Sequence, residues 1–286
     1  MEKVRFSRSD LTQLRQLGFG AIAEVYKLNE ELVLKVFKKT NHGALKEESF
    51  IDKVGIKNET CVFPKFLAEI DGEFQGYLMD YIEGEMLGDV VKKLDLTLLI
   101  AAIQKAENDI KDLSKDKIIF DDVNQGSLMW TKDNQIKVVD TDFYFKDKDI
   151  SEEEASRHNL ESFHTMLEME TGFLNGPINS FLKSKKEYND CYTEYMKASI
   201  AGKPLSITLL LLKAVEVFQK EFGVTPRSIE EMETILKEHN LYIETDRKEA
   251  SLTQGNGNIP IFSPPTKSNG HRAKNERKPT QDWDER

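Results

Sequence analysis

Only two cysteines, Cys61 and Cys191, occur in 286 residues. Their spacing matches no metal-ligand pattern, so a disulfide framework is excluded and a reducing compartment is expected. Long apolar runs are missing too. The longest, Ile207 to Leu212 with Thr208 inside it, falls far short of the roughly 20 residues that span a bilayer. No apolar signal region opens the chain. Positive charge is scarce: 40 Lys and Arg stand against 50 Asp and Glu, a net charge of −10. That balance argues against general nucleic-acid binding, which needs a basic face. The five histidines, His42, His158, His164, His239 and His271, are scattered without paired spacing, which points to structural or surface roles rather than a metal centre. These absences together lead to the expectation of a soluble, cytoplasmic protein with no membrane and no nucleic-acid partner.

What is present suffices for a core. Hydrophobic residues make up 39% of the chain and charged residues 31%, and the length exceeds one average domain, which suits a two-part globule with a tail. The central stretch Phe120 to Tyr144 is the most informative. It holds a carboxylate-rich turn, an apolar pair, a turn at Lys132-Asp133-Asn134 and a strand-like run Ile136 to Val139 that ends on Asp140-Thr141-Asp142. Two short strands joined by that turn would bring Asp122 and Ser127 close to Asp140. Clustered carboxylates at strand ends suit a hard cation such as magnesium; a solvated hairpin whose aspartates merely form turns has the same pattern.

Upstream, Gly18-Phe19-Gly20 followed by Val25-Tyr26 reads as a hairpin, and a glycine turn of this kind lets backbone approach a ligand. Residues 1 to 16 read as a short helix or lead-in. Glu31 to Lys38 is a strand with Lys35 in an apolar run, sharing a face with Val33 and Phe37. A lysine there is either solvated or needs an anionic partner, because an unpaired buried charge is costly. Ala44 to Ile56 reads as an amphipathic helix that places Glu47, or the neighbouring Glu48, near that lysine; either glutamate also suits a helix first turn. Phe74 to Met86 runs from a strand into a glycine turn, and residues 97 to 113 form a long amphipathic helix. Ser151 and Glu154 form a capping box. Leu209 to Val217 and Ile229 to Leu236 read as closing helices. The division is α+β, with a β-rich part to residue 82, a helical part from 83 to 242, and a disordered tail over 243–286.

Over Leu17 to Gly172 the chain resembles the protein-kinase-like superfamily, whose core the aminoglycoside and choline kinases share. The glycine-rich loop G-x-G-x-x-G-x-V reads here Gly18-Phe19-Gly20-Ala21-Ile22-Ala23-Glu24-Val25, with Ala23 at the third glycine. The lysine strand falls on Leu32-Val33-Leu34-Lys35 and the helix glutamate on Glu47. The hinge falls on Leu78 to Gly84, the catalytic loop on Phe120-Asp121-Asp122-Val123-Asn124-Gln125-Gly126-Ser127, and the D-F-G motif on Asp140-Thr141-Asp142. The anchoring helix falls on Asn159 to Leu167.

The resemblance implies a bilobal fold and phosphoryl transfer from ATP to a hydroxyl, with magnesium as cofactor. It assigns Asp122, Lys35 and Glu47 to catalysis. Gly18, Gly20, Val25, Lys35, Met79, Asp80, Ile82 and Met129 fall to the nucleotide, and Asp140, Ser127 and Asp142 to metal. The leading reading is a divergent serine/threonine-type protein kinase. A small-molecule kinase and a nucleotide-binding pseudokinase are the alternatives. The departures carry meaning. Ser127 replaces an asparagine that binds metal, and Asp142 replaces a glycine, where it either supplies the missing oxygen or caps the next segment. Asp121 stands in place of an arginine that would pair with an activating phosphate, and Phe120 replaces a histidine as an apolar plug. Only eighteen residues separate Asp140 from Asn159, which shortens the shelf that a peptide substrate would use.

Overall fold

The computed structural model describes residues 3–38, 45–121, 123–203 and 205–243. Asp122, His42, Pro204 and the expected tail from residue 244 on lie outside the described residues. The described residues belong to one compact unit.

Strand-forming runs with period-two alternation build a six-stranded mixed sheet. Its strands are β1 (Lys3–Phe6), β2 (Arg15–Phe19), β3 (Ala23–Lys27), β4 (Leu32–Phe37), β5 (Phe66–Ile70) and β6 (Glu73–Asp80), in the order β1-β5-β6-β4-β3-β2. Neighbours are antiparallel except β1, which adds to the edge of β5 in parallel. The segment read as a short helix or lead-in is therefore a strand followed by one short helix, α1 (Arg8–Leu11). Ser7 makes α1 terminate cleanly: its hydroxyl accepts the Asp10 N–H, and the Asp10 carboxylate accepts the Ser7 N–H.

Both faces of the sheet are covered, so β4 is buried on both sides. Val33 and Phe37 join Ala23, Phe50, Val62, Leu67, Tyr77 and Met79 on one face. Leu34 and Val36 join Ala68, Ile70 and Leu78 on the other, under Val4, Phe6, Leu11 and Leu14 of the N-terminal strand and helix. The helix expected over 44–56 is much shorter. It is α2 (Glu48–Ile51), followed by a turn that ends at Gly55 with φ of 82°, a backbone conformation that favours glycine. Phe50 is its buried anchor, its ring 5.3 Å from Phe37 and 5.5 Å from Tyr77.

After β6 the chain enters β7 (Gly84–Met86) and α3 (Leu87–Val90), then the long α4 (Leu96–Lys115). Gly84 lies in a strand and not in the expected turn, because β7 pairs with β9 (Leu128–Thr131), which in turn pairs with β10 (Ile136–Val138). Asp95 caps α4 by accepting the N–H groups of Thr97 and Leu98 at 2.9 and 3.2 Å. Strand β8 (Ile118–Ile119) pairs with β11 (Phe145–Lys146). Helices α5 (Glu152–Thr171), α6 (Pro177–Lys183), α7 (Lys186–Ile200), α8 (Thr208–Phe222) and α9 (Ile229–Glu238) complete the helical part. Ser151 caps α5 by accepting the Glu154 N–H. One large apolar core joins α4 and α5 to the β9–β10 hairpin and the closing helices. Among the described residues no helix is long and apolar enough to cross a membrane.

Candidate functional site

The β9–β10 hairpin carries the acidic turn to the sheet. The Val139 N–H donates to the Ser127 carbonyl at 3.0 Å, so Ser127 and Asp140 lie at the same end of the hairpin. A parallel bridge to residues 60–62 steadies that end: the Val138 N–H donates to Thr60 O at 2.8 Å and the Val62 N–H to Val138 O at 2.9 Å. The Thr141 hydroxyl then donates to Val62 O at 3.0 Å. Val139 packs into the apolar cluster on the Lys35 face of the sheet.

Lys35 meets two carboxylates there. Its ammonium lies 2.8 Å from Asp140 Oδ1 and 2.7 Å from Asp142 Oδ2. Lys35 is 6% exposed, which leaves the ammonium little water and makes the anions its solvation. Burial alone pulls its pKa down; Asp142 and Asp140 more than offset this and hold it above the ordinary lysine value. The two aspartates differ. The Asp140 side chain is 37% exposed and Asp142 only 3%. Asp142 also accepts the Tyr77 hydroxyl at 2.6 Å on Oδ1. Burial pushes the Asp142 carboxyl up, with Lys35 pulling against it and Asp140 adding to it. Burial, with Asp142 alongside, raises the Tyr77 phenol well above its usual value.

Glu47 does not partner Lys35. It forms an ion pair with Lys3 of β1 at 2.8 Å, and Glu48 is exposed. The helix is too short to aim either glutamate at β4. Its inward position is taken by Lys53, whose ammonium donates to the backbone carbonyls of Asp142 and Thr141 and sits 4.1 Å from the Phe50 ring centre. A sequence signal for Lys53 existed: Phe50, Lys53 and Val54 share helical spacing, so the lysine occupies an apolar face. Burial drops its pKa to about 8, opposed by Asp142 and furthered by Lys35.

The remaining residues sort by face. Gly18 and Gly20 belong to the β2–β3 hairpin, closed by a 2.9 Å bond from the Gly20 N–H to Ala23 O and tied down by the Lys38 ammonium on Gly20 O at 2.6 Å. Val25, Met79 and Ile82 lie in or against the cluster on the Lys35 face. Asp80 does not: by alternation along β6 its side chain turns to the opposite face, where it pairs with Lys65, so only its backbone is left to face the Lys35 side. Met129 is half-buried and alternates with Leu128 and Trp130 of the helical core, facing away from that core.

The segment 120–127 is held from two places on α5. Buried Asn159 accepts the Phe120 N–H at 2.8 Å and donates to Ile118 O at 2.8 Å. Buried Glu170 accepts the Gly126 N–H at 2.5 Å. Phe120 is fully buried, its ring 4.4 Å from Tyr144, so it packs as the expected plug. Asp121 is exposed, 4.0 Å from His158 Nε2. His164 is not a surface residue; it is buried between α4 and α5 on Glu107 at 2.8 Å.

A magnesium nucleotide fits part of this donor set. Asp140 presents a partly exposed carboxylate beside an ammonium, and magnesium commonly takes one or two carboxylates with phosphate oxygens as its other ligands. Asp142 does not fit as a metal ligand, because its two oxygens already hold Lys35 and Tyr77. Ser127 is buried. Among the described residues no three His, Cys, Asp or Glu side chains converge as a metal site. Neither a protein-family model nor a curated protein matches the chain.

Proposed function

We propose that the chain is an ATP- and magnesium-dependent phosphotransferase with a bilobal protein-kinase-like fold, divided near residue 82, and that it acts as a divergent serine/threonine-type protein kinase. The observation that carries this reading is the ion pair between Lys35 and Asp140, residues 105 apart in the chain, joined on the covered face of a sheet whose neighbouring hairpin carries Gly18 and Gly20. Phosphoryl transfer asks a protein mainly for positioning and charge neutralisation, and this pair offers both signs of charge at one point. In this reading Lys35 binds phosphate oxygens, Asp140 holds magnesium and the glycine hairpin covers the phosphates. Met79, Val25 and Ile82 give the base an apolar bed, with backbone groups of Asp80 and Ile82 at its edge. Asp122 orients the acceptor hydroxyl and accepts its proton. The magnesium ion would neutralise charge on the β- and γ-phosphates. Asp142 has a different part from the one its motif position suggests: it fixes Lys35, the task first given to Glu47.

A second reading, transfer to a small hydroxyl compound, is supported by one observation. Only residues 143–151 lie between the acidic turn and α5, and two of them pair with β8, which leaves little chain to support a peptide. Incubation with γ-labelled ATP and magnesium, alone, with a generic protein acceptor and with a panel of small alcohols, separates the readings. Label on protein that disappears in Asp122→Ala is the expected result. Label on a small alcohol supports the second reading. Nucleotide binding without any transfer overturns both.

A further inference from the structure

We propose that Lys53 is a positioning residue that fixes the Asp140–Thr141–Asp142 turn by its backbone and so makes the aim of Asp140 depend on the seating of the turn that follows α2. The inference rests on the functional reading above for its consequence, not for its geometry. Lys53 is 1% exposed, and among the described residues its ammonium contacts backbone carbonyls and a ring: Asp142 O, Thr141 O at 3.4 Å and the Phe50 face. A methionine or leucine would fill this slot beside Phe50 and Val54 without removing a charge from water, and that alternative usually costs less. The charge is therefore useful for what it grips. Backbone carbonyls at the acidic turn are acceptors that need donors when buried, and Lys53 supplies one from the turn that follows α2.

The same ammonium balances local charge. Two carboxylates, Asp140 and Asp142, share Lys35. Lys53 adds a second positive charge beside this group. The other neighbours fix Thr141 and Asp142 by side chain: Val62 O on the Thr141 hydroxyl and Tyr77 on Asp142. Lys53 is the side chain among these that acts on the turn's main chain, where the Tyr144 N–H also donates to Thr141 O at 3.3 Å, and that main chain sets the direction of the Asp140 side chain one residue away.

The test uses the full chain in two measurements. Amide hydrogen exchange over residues 140–145, without nucleotide, is compared between the native chain, Lys53→Met and Lys53→Arg. Magnesium-dependent ATP affinity is measured on the same proteins. Lys53→Met is expected to speed exchange in this segment at least tenfold, with β3 and β4 unchanged, and to weaken magnesium-ATP binding by a similar factor; Lys53→Arg, which keeps charge and donors, is expected to recover most of both. Unchanged exchange in Lys53→Met overturns the proposal. Faster exchange in a chain that binds no nucleotide in its native form leaves the positioning role standing and overturns the functional reading instead. Should Lys53→Met not fold, Lys53→Gln against Lys53→Arg carries the comparison, and equal exchange in those two overturns the role assigned to the charge.

Discussion

Lys35→Met is expected to lower folding stability by about 3–5 kcal/mol, the range for removing one partner of a buried ion pair. The loss comes less from the missing attraction than from what remains. Asp142, 3% exposed, would keep the Tyr77 hydroxyl as its side-chain donor, beside a second carboxylate, with Lys53 on its backbone carbonyl as the nearby positive charge. A buried anion that loses its direct ion pair is costly. The paired change Lys35→Met with Asp142→Asn removes both the ammonium and the stranded charge, and an amide still accepts from Tyr77. It is therefore expected to recover much of the stability that the single change loses. Urea denaturation of the two single variants and the double gives the coupling directly. A loss under about 1 kcal/mol for Lys35→Met would mean that the lysine is solvated after all, the alternative its sequence position left open.

Gly76→Ala is expected to be nearly as damaging for a steric reason alone. A Cβ at this position would lie 2.0 Å from the Lys35 carbonyl oxygen and 3.2 Å from the Val36 Cα. Both are backbone, so no rotamer change relieves the contact, and β6 would have to part from β4 at the Val36–Gly76 rung, next to Lys35. The expected cost is at or above the top of the overpacking range, about 3 kcal/mol, measured by chemical denaturation. Gly20→Ala is the control, since its Cβ would meet only the Ala23 carbonyl at 3.5 Å, an ordinary contact. Equal behaviour of the two variants would show that the β4–β6 approach is looser than these distances.

Much of the fold was legible because its elements obey one period each. The apolar, strand-forming run Leu32 to Phe37 and the helical spacing through Leu98, Ile103 and Ile110 need only local sequence, and the structure has β4 and α4 there. Other features depended on tertiary partners. Lys3 to Phe6 is a strand because β5 has a free edge for it, and nothing within four residues announces that. The helix over 44–56 shrank to one turn, and with it went the expected aim of Glu47, which Lys3 holds instead. Asp80 illustrates parity: its neighbour Met79 faces the apolar cluster, so Asp80 had to face the other side. Asp142 was read from a motif position as a metal ligand or a cap. Its place between Lys35 and Tyr77 depends on β6, 65 residues away from it, a distance over which no local pattern reports. Lys53 was overlooked because lysine on a short helix is normally solvated, although its spacing from Phe50 put it on the buried side.

The central claim is that Lys35 and Asp140 grip one magnesium-bound triphosphate. Calorimetric titration of the full chain with ATP, with and without magnesium, on the native protein and on Asp140→Asn, addresses it most directly. The account predicts saturable binding that needs magnesium and falls at least tenfold in Asp140→Asn. Binding that ignores both magnesium and the loss of that carboxylate, or no binding by the native chain, would contradict it.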